Sequence, residues 1–336
     1  MLKLLYGMFA LGIAAVSFVG AWFWMDYQRF LEAPITLSTG VNFEIQPGRS
    51  IKTLARQLEQ QQIIRSARYF TWMARLSGQA QQIKAGDYAL KAGSPEALLA
   101  QFVAGKSRQY SLAVIEGWAT KDLLQAMSKS PHLKHDLHDK TAEDIMAALN
   151  YPGHAEGRFY PDTYYFPKGM TDTAFLRRAY VKMHTTLEQE WDNRAADLPL
   201  KSAYEALILA SIVEKETGVP EERDKVAGVF INRLNKGMRL QTDPTVIYGM
   251  GERYKGNIRK KDLRQRTPYN TYVIRGLPPT PIALPGQAAI HATLHPEKHR
   301  YLYFVATGVG GHTFSASYKA HNRAVKAYLK QIRKRR

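Results

Sequence analysis

Apolar residues are distributed along this chain in three distinct ways. From Leu4 to Met25 there is an uncharged run of 22 residues, "LLYGMFALGIAAVSFVGAWFWM". As a helix it spans roughly 33 Å, enough for the ~30 Å hydrocarbon core of a bilayer. Trp22, Phe23, Trp24 and Tyr27 gather at one end, where amphipathic rings favour the membrane interface. A cleavable signal peptide has an apolar region of only about 7–15 residues and a small-residue cleavage site. The longer run, ending in "WFWMDY", is therefore expected to be an uncleaved single-span anchor, followed by a short spacer over residues 26–40.

The second distribution is short and mixed. "VNFEIQ" alternates as a strand does, "PGRS" is a turn with Ser50 as helix N-cap, and Ile51, Leu54, Ala55 and Leu58 follow a helical spacing. A second helix around residues 66–77 leads through Gly78 to a strand in "IKAGDYAL". Ser94, Pro95 and Gly105 then cap, open and end a third helix. Further on, "QYSLAVIEG" predicts a strand leading into a helix opened by Thr120. "SKSPHLKHDLHDKTAED" carries His132, His135 and His138, but Pro131 interrupts it and it has no apolar face. A solvated loop is expected there rather than a metal site. In "EGRFYPDTYYFPKG" five aromatics surround Asp162. They could stack on sugar faces, but a strand–turn unit with the rings in the core and Asp162 closing the turn is preferred.

The third distribution is a helix starting at Ser202, "SAYEALILASIVEKET", apolar all round over residues 206–213 except for Ser211. Such a helix is buried. At about 100° per residue, Glu216 lines up with Leu209 and Val213, and Glu214 with Leu207 and Ala210. The two acids cannot both enter one cleft from an unbroken helix, and periodicity does not choose between them. After it, Pro220 begins a helix with Glu221 and Glu222 as dipole partners in its first turn. Val226, Val229, Phe230 and Leu234 form its apolar face, and Gly237 ends it.

Composition changes this picture in one respect. A hydrophobic content of 45% suits a globular chain, but 47 basic against 29 acidic residues give a net charge of +18. Such a surface attracts polyanions: nucleic acid, anionic lipid or an anionic cell-wall polymer. Lys3 precedes the apolar run, while Arg29 after it is offset by Asp26 and Glu32, which places the N-terminus in the cytoplasm and the bulk of the chain outside. That location argues against nucleic acid. The absence of cysteine fits either compartment.

Chemistry supplies a criterion for the acids. A general acid for a glycosidic oxygen must keep its proton near neutral pH, so its pKa must rise by about two units. Desolvation and the negative end of a helix both push that way. Glu216, in the last turn before Gly218, gains more from the dipole than Glu214, and Lys215 works against the rise for both unless it points into solvent; the alternative is a solvated Glu-Lys-Glu helix end. In "LQTDPTVIYG", Asp243 could be a second carboxylate, but its place before Pro244 favours an N-cap. His291 and His295 sit four apart in "HATLH" with no third ligand evident, so no metal is expected. The tail "KQIRKRR" is read as solvated, with membrane contact as the alternative.

Several long motifs carry a resemblance. "SIVEKETGVPEERDKVAGVFINRLNKGMRLQTDPTVIYGMG", "TPYNTYVIRGLPPTPIALPG", "YLYFVATGVGGHTFSASYKAHN" and the upstream "EGRFYPDTYYF" resemble the endolytic murein transglycosylases, the MltG/YceG-like family. The likeness covers nearly the whole chain; residues 128–155 match loosely. It implies an α+β protein with a single N-terminal transmembrane helix (residues 1–30), a small LysM-like α+β module (31–108) and a larger mixed α+β catalytic domain (109–336). It implies that the second glutamate of "EKE", Glu216, is catalytic. Gln241, Thr242, Asp243, Thr245, Tyr269, Asn270, Thr271 and Tyr272 are candidates to hold the sugars, each with a turn or capping role as the alternative. His312 and His321 match the family pattern without an assignable role.

The implied activity is non-hydrolytic cleavage between N-acetylmuramic acid and N-acetylglucosamine, leaving 1,6-anhydro ends, with no cofactor. The implied partners are peptidoglycan strands, the membrane and peptidoglycan synthases, with no nucleic acid, and the catalytic part lies outside the cytoplasmic membrane. Two rivals stay open: a lysozyme-like hydrolase pairing Glu216 with Asp243, and a non-catalytic wall-binding scaffold.

Overall fold

A long helix opens the computed structural model, which describes residues 2–36, 41–137 and 140–335. This helix, α1 (Leu2–Glu32), is the one helix among the described residues long and apolar enough to cross a membrane. It runs past the expected end of the span, so residues 26–32 are helical rather than a spacer. The cause is tertiary: Asp26 accepts a hydrogen bond from the Tyr69 hydroxyl at 2.7 Å, and Phe30 is buried. Ile35 then forms a bridge with Gly93. Residues 37–40 of that expected spacer, and His138, lie outside the described residues.

The chain divides into two compact units, residues 1–110 with 165–169, and residues 111–164 with 170–336. In the first unit, α1 is followed by β1 (Asn42–Ile45), α2 (Ile51–Gln60), α3 (Ala67–Leu76), β2 (Gly86–Ala89) and α4 (Pro95–Ala104). The two strands pair antiparallel with Phe43 opposite Tyr88. Alternation turns Phe43 and Ile45 inward, where they meet Leu54, Leu58, Phe70 and Phe102 in one apolar cluster. Ser50, Ser66 and Ser94 each accept the backbone N–H three residues on, which satisfies a free donor at each helix start. Gly105 ends α4 at φ 69°, a left-handed value that favours glycine.

Next come β3 (Gln109–Ala113), α5 (Thr120–Ser128), β4 (Leu133–Lys134), α6 (Ala142–Leu149), β5 (Thr163–Pro167), β6 (Met170–Thr171) and α7 (Asp172–Asp192). β3 pairs with β5, and β4 with β6 in parallel. The polar stretch after residue 128 is thus not simply a solvated loop. β4 pairs there, His135 Nδ1 lies 3.3 Å from the Asp172 carboxylate, and Thr141 and Asp144 cap α6 reciprocally. Thr120 opens α5 as expected, as its first residue, and its hydroxyl donates to Glu156. Phe159, Tyr160, Tyr164 and Phe166 are buried and Tyr165 is exposed, so four of the five rings are core. Asp162 accepts the Thr163 N–H and pairs with Lys182.

α8 (Ala203–Glu216), α9 (Arg223–Asn235), α10 (Asp243–Met250), α11 (Gln287–Leu294), β7 (Tyr303–Ala306), β8 (His312–Ser315) and α12 (Tyr318–Arg335) complete the chain. α8 is the centre of this unit, with α7, α9, α10 and α11 packed against it. Every residue from Ala206 to Val213 is buried, and the one hydroxyl among them, Ser211, donates to the Ile208 carbonyl and accepts the Ile282 N–H. A helix buried on all sides can carry a side chain at its end into a place that solvent reaches poorly.

Candidate active site

That end is Glu216. Thr217 is already extended, and its N–H makes the last helical bond, to Val213. Gly218 has no left-handed conformation, so the extended Thr217, with Pro220 beyond, stops the helix. The two acids diverge as the helical spacing requires. Glu214 accepts the Gly286 N–H at 3.1 Å, whereas Glu216 accepts the Thr242 hydroxyl at 2.8 Å. Lys215 is exposed and bonds the Gly117 carbonyl, which turns its charge away from Glu216.

Burial pushes the Glu216 carboxyl up to about 7, and the nearby Asp243 charge acts in the same direction. The Thr242 hydrogen bond, and the electrostatic influence of His312 and Arg233, pull the other way without prevailing. The side chain keeps a partial opening to solvent, although protein fills most of the space around it. A proton donor needs both features: low polarity to hold the proton, and an opening for substrate.

The candidate residues divide into those facing Glu216 and those that hold them. Thr242 is anchored by donating its N–H to the Thr271 hydroxyl at 3.1 Å. Thr245 donates to the Thr242 carbonyl and shares a 2.8 Å contact with the Thr271 hydroxyl. Thr245 and Thr271 are fully buried, so their hydroxyls position Thr242. Gln241 is exposed, at φ +50°, and its N–H reaches the Thr271 carbonyl. Asn270 is 1% exposed, donates to the Asp262 and Gln265 carbonyls and accepts the Tyr272 N–H. Its polar atoms are occupied by the turn, as the alternative for "PYNTY" allows.

Asp243 is not the N-cap of α10. That position falls on Thr242, and the Asp243 carboxylate instead accepts the Tyr272 hydroxyl at 2.7 Å. Tyr269 shares a hydrogen bond with Thr280 and sets its ring edge-on to Tyr248, 4.8 Å between centroids.

The contacts that Glu222, Arg233 and Glu156 make escaped sequence reasoning, which left His312 without a role. Glu222, taken as a dipole partner in a first turn, accepts both the backbone N–H and Nδ1 of His312 at 2.8 Å. Gly311 permits this approach, since a Cβ there would lie 2.6 Å from Glu222 Oε1. His312 thereby gains a place beside Glu216. Arg233 is buried and bonds the Leu302, Arg239 and Leu240 carbonyls. Glu156 is buried and accepts from the Thr120 N–H and hydroxyl and from the Tyr248 hydroxyl; burial raises its pKa. It lines a cavity of about 860 Å³ with Lys215, Pro244, Tyr248 and Tyr269. Apart from the Arg233 bonds to Arg239 and Leu240, six and seven residues on, these partnerships join residues distant in the chain, and no local pattern signals them. His321 stacks on Tyr303 at 5.1 Å, and burial lowers its pKa.

The Thr242 hydroxyl favours ionised Glu216, so Thr242→Val is expected to raise the Glu216 pKa by up to about one unit. Titration of the carboxyl by carbon NMR checks this; an unchanged or lowered value refutes the role given to the hydroxyl.

The fold and site set one carboxyl at the end of a buried helix, with its pKa raised by burial and the Thr242 hydroxyl bonded to it, an arrangement suited to an enzyme that works by proton transfer. Residues 43–327 match the YceG-like family, and the chain belongs to that family. A Bacillus subtilis protein named endolytic murein transglycosylase is 31% identical over 312 residues, covering 87% of this chain and 85% of the relative. A Streptococcus pneumoniae protein of the same name is 26% identical over 349 residues, and the alignment covers 91% of this chain but 62% of that longer relative. The crystal structure of a yceG-like protein from Listeria monocytogenes superposes with a TM-score of 0.54 at 29% identity, covering 85% of this chain and 98% of that one.

Proposed function

We propose that this chain is an endolytic lytic transglycosylase acting on peptidoglycan, with Glu216 as its acid and base. The observation that carries the reading is the Glu216 carboxyl at the end of the buried α8, bonded by the Thr242 hydroxyl, with burial pushing its pKa up to about 7. Its membership of the family, and the name borne by its relatives, give the substrate.

Glu216 protonates the oxygen that leaves as the N-acetylglucosamine 4-hydroxyl. As the bond to muramoyl C1 breaks, the muramoyl 6-hydroxyl attacks C1 and returns its proton to Glu216. No water is consumed and the acid is regenerated. Hydrolases need a second carboxyl, about 5–5.5 Å away when retaining and about 6.5–9.5 Å when inverting, to act as nucleophile or to activate water. Intramolecular attack removes that need.

A lysozyme-like hydrolase is the second reading, favoured by the closeness of Asp243 to Glu216. Product mass separates the two. Digestion of uncrosslinked glycan is expected to give anhydro ends, each lighter by one water than a hydrolytic product. Hydrated ends alone would replace the proposal with the hydrolase.

The apolar α1 supports a single-pass anchor, and the charge bias around it supports a cytoplasmic N-terminus with the enzyme outside the membrane. The strand–helix–helix–strand order of β1, α2, α3 and β2 supports a LysM-like wall-binding module. A tethered enzyme that cuts within new strands would end their elongation and would work beside the synthases that make them. The net charge of +18 suits the carboxylates of peptide stems and the anionic lipid surface.

A further inference from the structure

The expectation of no metal rested on the lack of a third ligand beside His291 and His295. The fold brings one: Glu190, in the last turn of α7, meets His291 of α11 and His295 at its C-cap, and the three ligand atoms all lie within 4.8 Å of one another. We propose that Glu190, His291 and His295 bind a divalent transition metal, zinc being the best match, at a site separate from Glu216.

Three features argue for a site over a chance ion pair. The first is distance. Glu190 Oε2 lies 2.9 Å from His291 Nδ1 and 3.9 Å from His295 Nε2. A tetrahedral zinc with bonds of about 2.0–2.1 Å sets its ligand atoms ~3.3 Å apart, so the cluster needs adjustments on the order of 1 Å.

The second is preorganisation. Ala289, Ile290, Ala292, Thr293 and Leu294 are buried, which fixes how α11 is turned and leaves the face bearing residues 287, 291 and 295 toward Glu190. The two imidazole rings are already stacked, 4.3 Å between centroids. Gln287, one turn before His291, places its amide 3.5 Å from the other Glu190 oxygen, as a supporting group does for a ligating carboxylate.

The third is chemistry. Two imidazoles and one carboxylate suit zinc, whereas calcium and magnesium take mainly oxygen ligands. His291 and His295 are partly exposed, which leaves an entry path and a fourth position for water. A bound ion would tie α7 to α11, and both pack against α8.

The test uses the untagged full chain in detergent, stripped of metal and titrated with zinc chloride by calorimetry. Cobalt absorption serves as a second readout of geometry. One saturable equivalent is expected, with the visible bands of tetrahedral cobalt and a rise in thermal midpoint on adding zinc. Gln287→Ala is expected to weaken binding by about tenfold. The double variant His291→Ala, His295→Ala should lose the equivalent, the cobalt bands and the midpoint rise together. Absence of a saturable equivalent in the wild type, or its survival in the double variant, overturns the proposal. Neither measurement depends on glycan cleavage.

Discussion

Glu216→Gln is expected to lower glycan cleavage by a factor of about 10²–10⁴, toward the upper end because one group serves as both acid and base. The amide keeps the shape and the Thr242 contact but has no acidic proton to give. The wild type should itself lose activity above pH of about 7, the value to which burial pushes this carboxyl, falling tenfold per unit as the proton leaves.

The same substitution should stabilise the fold at alkaline pH, and the sign follows from the raised pKa. Below 4.5 the proton is bound in both folded and unfolded chains; between 4.5 and about 7 the folded chain keeps a proton that the unfolded chain releases. Stability therefore falls as pH rises through that window, and the loss is complete above it. Glutamine removes the loss, so at pH 8 the variant should exceed the wild type by roughly 1–3 kcal/mol, a range discounted for the side chain's opening to solvent. The gap should close as pH falls toward 4. Denaturant melts of both proteins across this range, beside muropeptide analysis, test the pair of effects. Undiminished cleavage by the variant would remove Glu216 from the mechanism, and a variant less stable than the wild type at pH 8 would show that the buried charge is no burden.

Arg233→Ala carries the largest expected effect on folding. The guanidinium joins α9 to two other segments, donating to the Leu302 carbonyl at 2.6 Å and to the Arg239 and Leu240 carbonyls at 3.2 and 2.7 Å. It also lies over the Tyr303 ring at 5.1 Å. Alanine leaves these carbonyls without that donor, at about 1–3 kcal/mol for each one left buried and unpaired. A loss of about 3–5 kcal/mol is expected, read as a fall in denaturant midpoint. Arg233→Lys should recover a small part, since an ammonium cannot reproduce the planar fork. Because the segment after Leu240 carries Gln241, Thr242 and Asp243, residual activity should fall further than the folded fraction alone accounts for. A variant with an unchanged midpoint would remove Arg233 from this supporting role.

Local patterns reached far into the first unit. Ser50, Ser94, Pro95 and Gly105 act where they were read, because a cap or a terminator is decided by backbone geometry within a few residues. The same reasoning failed at Asp243, where the Asp-Pro pattern suited a cap but the Tyr272 hydroxyl competes for the carboxylate and Thr242 takes the cap position. It failed again at residues 26–32, where packing against Tyr69 extends a helix that composition alone would have ended.

For the site, the sequence by itself set the periodicity of α8, its uniform apolarity and the fact that Glu214 and Glu216 must face different ways. Those properties depend on neighbours along one helix. The surroundings of each acid were decided by the tertiary structure, because desolvation comes from everything that surrounds a group: burial raises the pKa of both, the Gly286 N–H reaches Glu214, and Thr242, Asp243, His312 and Arg233 surround Glu216. The pairing of Glu222 with His312, and of Glu190 with His291 and His295, was decided there too. Such contacts join positions about a hundred residues apart, and a chain states them only once it has folded.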